Sequence, residues 1–300
     1  MTDRSHKSII ERSLFETGAL RISPENKPFW YTSGTIGPYY INTHFLYGSE
    51  EKANELLVVI DAQKDKRFEL PGLLAELVIH NYHADEIFKS VIDCMVSYIN
   101  DHFDVAAIEL ISGGERRDWF FSIILAHLLK KRHLTIYKDL QMVVGKESPE
   151  GRQDEVFAVE KGSMAGLKCL HISDLVTEAS SYQRAWEPAL QEAGSHIDCS
   201  LTIVDRLQGG GEVLRELGIE HHAMTSIDAS LFKSAMNTGY INPKQFAFVV
   251  QYKDDPKTAM RDFLIRNPEF IDKTILDGGK DAGRAKLCLE KNIYQLPVKS

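Results

Sequence analysis

The run VAAIELI (105–111) limits what this chain can fold into more than any other segment. It is apolar apart from Glu109 and too short for a helix of its own. It therefore reads as a strand buried on both faces, the kind found inside a parallel sheet. The run stops at SGGERRD (112–118). WFFSIILAHLLKK (119–131) follows as a helix that is apolar nearly all round, and HLTIY (133–137) is the next strand. The same order returns later. KCLHISD (168–174) reads as a strand, and Tyr182, Ala185, Trp186, Ala189, Leu190 and Ala193 then fall at helical spacing. HIDCSLTIVDR (196–206) is the next strand. Strand, helix, strand occurring twice predicts a doubly wound α/β core with a mostly parallel sheet over residues 105–215. Gly194 is placed to end the second helix, and Pro188 predicts a kink or a restart within it.

Three other segments flank or precede this core. Residues 1–48 read as a loop-rich opening with the cluster FWYTSGTIGPYYIN (29–42), in which Gly and Pro mark turns and YYIN a short strand. Residues 49–104 read as helical, since ELLVVIDA, LPGLLAELVIHNY and EIFKSVIDCMVSYI carry helical apolar spacing. Residues 216–300 form an extension with a strand around HHAMTSI and several helices. Within the core, KDLQMVVGKESPEGR (138–152) has no clear period and reads as a long loop, with a short strand near VFAVE.

Composition narrows the function classes. With 43% hydrophobic and 26% charged residues the chain is globular, and its net charge of −8 disfavours nucleic acid as the main partner. The basic run at 130–132 reads as the cationic last turn of the preceding helix. No stretch approaches the roughly 18 apolar residues of a membrane span, and the opening has no signal-type apolar core, so a cytoplasmic location is expected. Cys94, Cys169, Cys199 and Cys288 are widely spaced and read as reduced thiols, not as disulfides or zinc ligands. His221 and His222 are neighbours on a strand, where adjacent side chains face opposite ways, so a metal pair is not expected. Trp30 and Trp186 read as packing residues, and Trp119, directly after a run of charges, as a candidate for the wall of a ligand cleft.

In open α/β sheets ligands sit beyond the carboxyl ends of the strands. Three loops qualify: Ser112–Asp118, Asp174–Ser181 and Asp205–Gly211. The stretch HISDLVTEASS (171–181) is the most informative. Asp174 ends its strand there and could accept ribose hydroxyls or hold Mg²⁺ through water. Thr177, Ser180 and Ser181 offer hydroxyls, and the amides of a helix start favour an anion. A plainer reading also stands, in which Thr177 or Ser180 caps the helix and Glu178 is an ordinary first-turn acid.

HISDLVTEASS resembles the phosphoribosyl-pyrophosphate motif of type I phosphoribosyltransferases: a buried strand, two acids, and a Thr/Gly/Ser phosphate turn. SGTIGPYY (33–40) and VDRLQGGG (204–211) are similar to motifs of the orotate phosphoribosyltransferases, and SGGERRDW (112–119) is loosely similar to the family's pyrophosphate loop. The likeness covers roughly residues 14–215. It implies a type I phosphoribosyltransferase-like fold with an N-terminal base-binding arm (1–48), a helical insert (49–104) and a helical C-terminal extension. It also implies Mg²⁺-dependent transfer of a phosphoribosyl group from phosphoribosyl pyrophosphate to a pyrimidine such as orotate, in a homodimer.

Carried over by residue, Tyr39 and Tyr40 lie in the segment that meets the pyrimidine, and Arg206 pairs with an orotate-type carboxylate. Asp174 holds the ribose hydroxyls and, through substrate or water, Mg²⁺. Thr177, Glu178, Ala179, Ser180 and Ser181 form the turn around the 5′-phosphate. Gly113 and Gly114 admit the pyrophosphate, with Arg116 and Arg117 as its charge partners. Lys146 and Arg152 are the late basic residues of the long loop, placed to act catalytically, across a dimer interface if need be.

The departures are specific. Ser173 stands where the first acid is usual, Glu178 at a small residue of the turn, and Ala179 at a glycine. Residues 138–152 lack a lysine two places before His-Gly. Gly37 replaces a serine and Thr32 a lysine. Most of these changes fall on the phosphate side, so two other readings accompany the first. One is a non-catalytic nucleobase- or nucleotide-binding protein on the same fold. The other is an enzyme acting on an unphosphorylated ribosyl compound. A carboxylate a few ångströms from a phosphate repels it, so a phosphate at this turn requires Glu178 to point outward.

Overall fold

In the computed structural model, which describes residues 3–137, 143–146 and 156–296, the apolar runs become the centre of one sheet. The chain divides into two compact units, residues 1–19 with 42–228, and residues 20–41 with 229–300. The larger begins with helices α1 (Asp3–Glu16), α2 (Glu50–Gln63), α3 (Leu70–Ala84) and α4 (Glu86–His102). Then come β1 (Ile108–Gly114), α5 (Trp119–Leu128), β2 (Arg132–Ile136), β3 (Val143–Lys146), β4 (Val156–Ala158) and β5 (Lys168–Val176). The unit continues with α6 (Glu187–Glu192), β6 (His196–Asp205), α7 (Gly210–Glu216) and β7 (Glu220–Ser226).

The sheet order is β7-β6-β5-β1-β2-β3-β4. The first five strands are parallel, and β3 and β4 add an antiparallel edge. This is a doubly wound, mostly parallel α/β sheet. The chain leaves β1 towards β2 on one side and returns to β5 on the other. The order therefore reverses between β1 and β5, the place where open sheets of this kind hold ligands.

Two local expectations change. The opening was expected to be loop-rich, yet it forms α1, whose buried His6, Ile10, Ser13 and Leu14 share one face. That face lies along α4: Cys94 Sγ donates to the His6 carbonyl at 3.6 Å, and His6 Nε2 meets Ser97 Oγ at 3.1 Å. Strand β5 also runs two residues past Asp174, because Leu175 and Val176 still pair with Val204 and Asp205 of β6. Beyond it a continuous helical run spans residues 180–192, π-helical over Tyr182–Trp186. Pro188 sits inside this run, directly after its π-helical segment.

In the smaller unit, Leu20–Ile22 pairs with Tyr39–Ile41 and Phe29–Trp30 with Ile36–Gly37, both antiparallel. These ribbons share a core with the helices that follow residue 229: Trp30, Ile36, Met260, Phe263, Ala285 and Cys288 are buried together. Trp30 stacks on Phe270 and donates to Thr274 Oγ1 at 3.2 Å. All four cysteines are buried and free. Among the described residues no helix is long and apolar enough to cross a membrane.

Candidate functional site

At the carboxyl ends of β1 and β5 the larger unit opens a cleft of about 770 Å³, lined by residues 115–118, 173–182 and 186. Its floor is made by two carboxyl groups. The ladder between β1 and β5 ends at Gly113 and Ile172, so the N–H of Asp174 lies past the last rung. Asp118 replaces the missing partner: its Oδ1 accepts from Asp174 N at 2.8 Å and its Oδ2 from Gly114 N at 3.1 Å. One buried side chain thus ties the β1 loop to β5. Asp174 is also buried, and its Oδ2 has no hydrogen-bond partner.

Burial, followed by the neighbouring Asp174, pushes Asp118 well above the usual carboxylate range. Burial pushes Asp174 up too, against the pull of Arg117. Beneath them His171 is fully buried, its Nδ1 2.8 Å from Ser112 Oγ and its Nε2 3.9 Å from Asp118 Oδ2. Cys169 Sγ donates to the same Ser112 oxygen at 3.2 Å. Burial holds His171 at about 3, and burial followed by Arg117 and Arg116 does the same to His44.

A pH prediction follows from the two histidines. An unfolded histidine titrates near ~6.5. Between that value and about 3 the unfolded chain takes up protons that the folded chain refuses, so their stabilisation is present above ~6.5 and lost as pH falls. The melting temperature of the wild type should drop relative to that of His171→Asn between pH 7 and 5, at up to about 1.4 kcal/mol per pH unit for this residue. Parallel melting curves across that range would show that His171 is charged in the fold.

The turn after β5 has the form an anion needs. Ala179 takes a left-handed backbone (φ 52°), Thr177 O accepts from Gly210 N at 2.9 Å, and the helical run starts at Ser180, where the N–H groups of Ser180 and Ser181 lack intrahelical partners while those of Tyr182 and Gln183 donate to the Ala179 carbonyl. Glu178 is exposed, as a phosphate at this turn requires. Ser173 is buried, with Oγ turned to the Leu175 carbonyl at 3.4 Å.

The two glycines of the β1 loop are pressed by the protein's own side chains. A Cβ on Gly113 would lie 2.2 Å from Ser122 Oγ, and one on Gly114 2.2 Å from Trp186 Cε2. Arg116 is held in a close ion pair with Asp61, while Arg117 is exposed. The peptide bond between Glu115 and Arg116 is cis. Trp119 was a candidate for the cleft wall, but it is buried away from it and donates to the Gly113 carbonyl at 3.0 Å. Trp186, expected only to pack, lines the cleft.

The other candidates are placed as follows. Arg206 is half-buried directly after β6; its N–H donates to Val176 O at 3.0 Å and its buried Nε has no partner. Tyr39 and Tyr40 belong to the smaller unit, where Tyr39 is buried against Phe232 and Tyr252 and Tyr40 lies near Phe29 and Tyr31. Lys146 ends β3 opposite His133; its side chain, and Arg152 entirely, lie outside the described residues. His221 meets Thr202 Oγ1 and His222 meets Glu220 Oε1, on separate partners. Asp118 is a cleft residue that sequence reasoning did not single out, nor did it single out the buried His171 beneath the cleft or the buried His44. The available signal was an acid four residues after a Gly-Gly strand end.

No protein-family model matches the chain, and no curated protein matches it. Solved structures are similar to it at low identity. The UMP synthase of Leishmania donovani is 17% identical with a TM-score of 0.48, over 81% of this chain and 42% of that one, so the chain spans under half of that protein. The orotate phosphoribosyltransferase of Aeropyrum pernix is 16% identical with a TM-score of 0.43, over 75% and 98%. That of Francisella tularensis is 14% identical with a TM-score of 0.47, over 81% and 96%. In structure, then, the chain is similar to orotate and other type I phosphoribosyltransferases.

Proposed function

We propose that the cleft of the larger unit binds the 5-phosphoribosyl end of a nucleotide-type ligand. One observation carries this reading: a buried, unpartnered carboxylate oxygen, Asp174 Oδ2, shares a cleft with the amide-bearing turn Thr177–Ser181. A carboxylate accepts from vicinal ribose hydroxyls, and a helix start receives a phosphate. The exposed Glu178 leaves that place open.

Two activities suit such a site. In one, the chain is an orotate phosphoribosyltransferase-like enzyme that moves phosphoribosyl from phosphoribosyl pyrophosphate to a pyrimidine. Asp174 then orients the ribose, the turn holds its phosphate, and Arg206 meets the base carboxylate, with Lys146 and Arg152 acting from the long loop. Positioning and fixed charge supply the rate in chemistry of this kind. Mg²⁺, when bound, neutralises the leaving pyrophosphate. Among the described residues no group of three or more His, Cys, Asp or Glu is placed to hold a metal, so Asp174 would meet it through substrate or water. In the other activity the chain holds a nucleotide without chemistry, as a regulatory protein. Ser173 in place of an acid, and the engagement of Asp118 with backbone amides, favour this second activity.

Calorimetric titration with uridine 5′-monophosphate tests the common reading. Saturable binding is expected, at least tenfold tighter than for uridine and lost in Asp174→Ala. No heat at millimolar nucleotide overturns it. Release of pyrophosphate from phosphoribosyl pyrophosphate, orotate and Mg²⁺, above the Asp174→Ala background, decides for the transferase.

A further inference from the structure

We infer that the larger unit has a second binding site, at the third of the strand-end loops, and that it takes a small zwitterion: an α-amino acid, held by its ammonium group on Asp205 and by its carboxylate on Arg215. The inference does not depend on the ribose-phosphate reading, because this cavity shares no lining residue with the cleft. It spans about 620 Å³ between the end of β6, α7 and the start of β7, and its walls include Asp205, Leu207, Gly211, Arg215, Ile219 and His221.

The inner end is built from two polar side chains with unused atoms. Asp205 is only 7% exposed; its Oδ1 accepts from Leu207 N at 2.7 Å, and its Oδ2 has no partner among the described residues. His221 is half-buried, with Nε2 3.1 Å from the buried Thr202 Oγ1, which leaves Nδ1 unused. Both unused atoms face Gly211. A Cβ there would stand 3.8 Å from Asp205 Oδ2 and 3.7 Å from His221 Nδ1, in ordinary contact. The open side of the glycine is thus a space where one ligand group meets both. Burial holds the His221 imidazole below its ordinary value against the pull of Asp205, so it is neutral at pH 7 and does not compensate the carboxylate. A buried carboxylate without an ion pair is destabilising, and a cationic ligand group offsets that.

The outer end carries the opposite charge. Arg215 lies about 6 Å further along α7 than Gly211, one turn on and on the same face, and has no ion pair among the described residues. Glu212 also borders the cavity, and Glu220 is engaged by His222 at 3.0 Å. Three acids against one arginine make the cavity negative overall, which favours a ligand with a cationic group over a plain anion. Ile219, buried, and Leu207, exposed, supply an apolar flank for a side chain. An ammonium group at Asp205 with its carboxylate towards Arg215 satisfies both ends.

Thermal melting of the full chain with each of the standard L-amino acids at millimolar concentration tests this, followed by calorimetric titration of the one that stabilises most. At least one is expected to raise the melting temperature. Its des-amino counterpart, which keeps the carboxylate, should bind at least tenfold more weakly, and its decarboxylated amine at least threefold. Asp205→Asn should weaken the amino acid at least tenfold, and Arg215→Gln at least threefold. Gly211→Leu, which fills the space from a helical position, should abolish binding. Three results would each overturn the inference: no stabilisation by any amino acid, equal stabilisation of Gly211→Leu, or a des-amino acid that binds as tightly as its parent. If Gly211→Leu does not fold, Asp205→Asn decides, and undiminished binding by that variant overturns the inference as well.

Discussion

Gly114→Ala is expected to destabilise the larger unit by about 2–3 kcal/mol, and a Trp186→Ala background to remove most of that cost. The added methyl would sit 2.2 Å from the indole, far inside van der Waals contact, and Trp186 is itself buried with the Leu110, Leu134, Tyr182 and Leu190 cluster, so the ring has little room to retreat. Overpacking of this kind costs about 1–3 kcal/mol. Trp186→Ala alone should cost about 3–5 kcal/mol, as large-to-small changes in a core do. In a double-mutant cycle the two changes should therefore be strongly non-additive, with a coupling energy of about 2 kcal/mol. Urea denaturation reads it directly, provided the slope m stays constant across the four proteins. Additive losses would mean that the loop has moved and that Trp186 is not what requires a glycine at 114. The result bears on function, because the same contact closes the β1 end of the cleft: Trp186→Ala should open that end to larger ligands.

This contact also shows where sequence reasoning stops. The sheet was legible because β1, β5 and β6 are buried on both faces and so read as apolar runs, each ending in polar, glycine-bearing loops. The turn at Thr177–Ser181 was legible because its hydroxyls and helix start are contiguous in the chain. Asp118 was not. An acid directly before a helix reads as an N-cap, yet here the side chain caps nothing and crosses to a backbone N–H 56 residues away. That crossing depends on β1 and β5 being neighbours, which is a matter of strand order and not of local pattern. Trp186 was misjudged for a related reason. Helical spacing marks it as inward-facing, but the surface it meets is the end of β1, and that end is also the cleft wall. In the smaller unit, Trp30 and Thr274 meet across more than two hundred residues, and periodicity carries no information over that distance.

Asp174→Asn should make the protein more stable and its ligand binding at least tenfold weaker, and the gain in stability should grow with pH. Burial raises the folded-state pKa of Asp174, so the fold favours the protonated acid. Below the unfolded value near ~3.9 both states are protonated, and the side chain sits in the fold without a charge to desolvate. As pH rises, the unfolded chain releases its proton first, and the stabilisation is lost as pH passes through the raised folded value. Asparagine has nothing to release. The difference between variant and wild type should thus be near zero at pH 4 and reach about 1–2 kcal/mol by pH 8, the size typical of functional groups held at a cost to stability. The wild-type cost persists because Oδ2 has no partner in the free protein; a ribose hydroxyl would supply one. Ligand should accordingly raise the melting temperature of the wild type and not of the variant. If Asp174→Asn instead loses stability equally at all pH values, the carboxylate serves the fold and not a ligand. The floor of the cleft would then be a structural knot between β1 and β5. The opposite signs of the two outcomes make the distinction independent of knowing which nucleotide the protein holds.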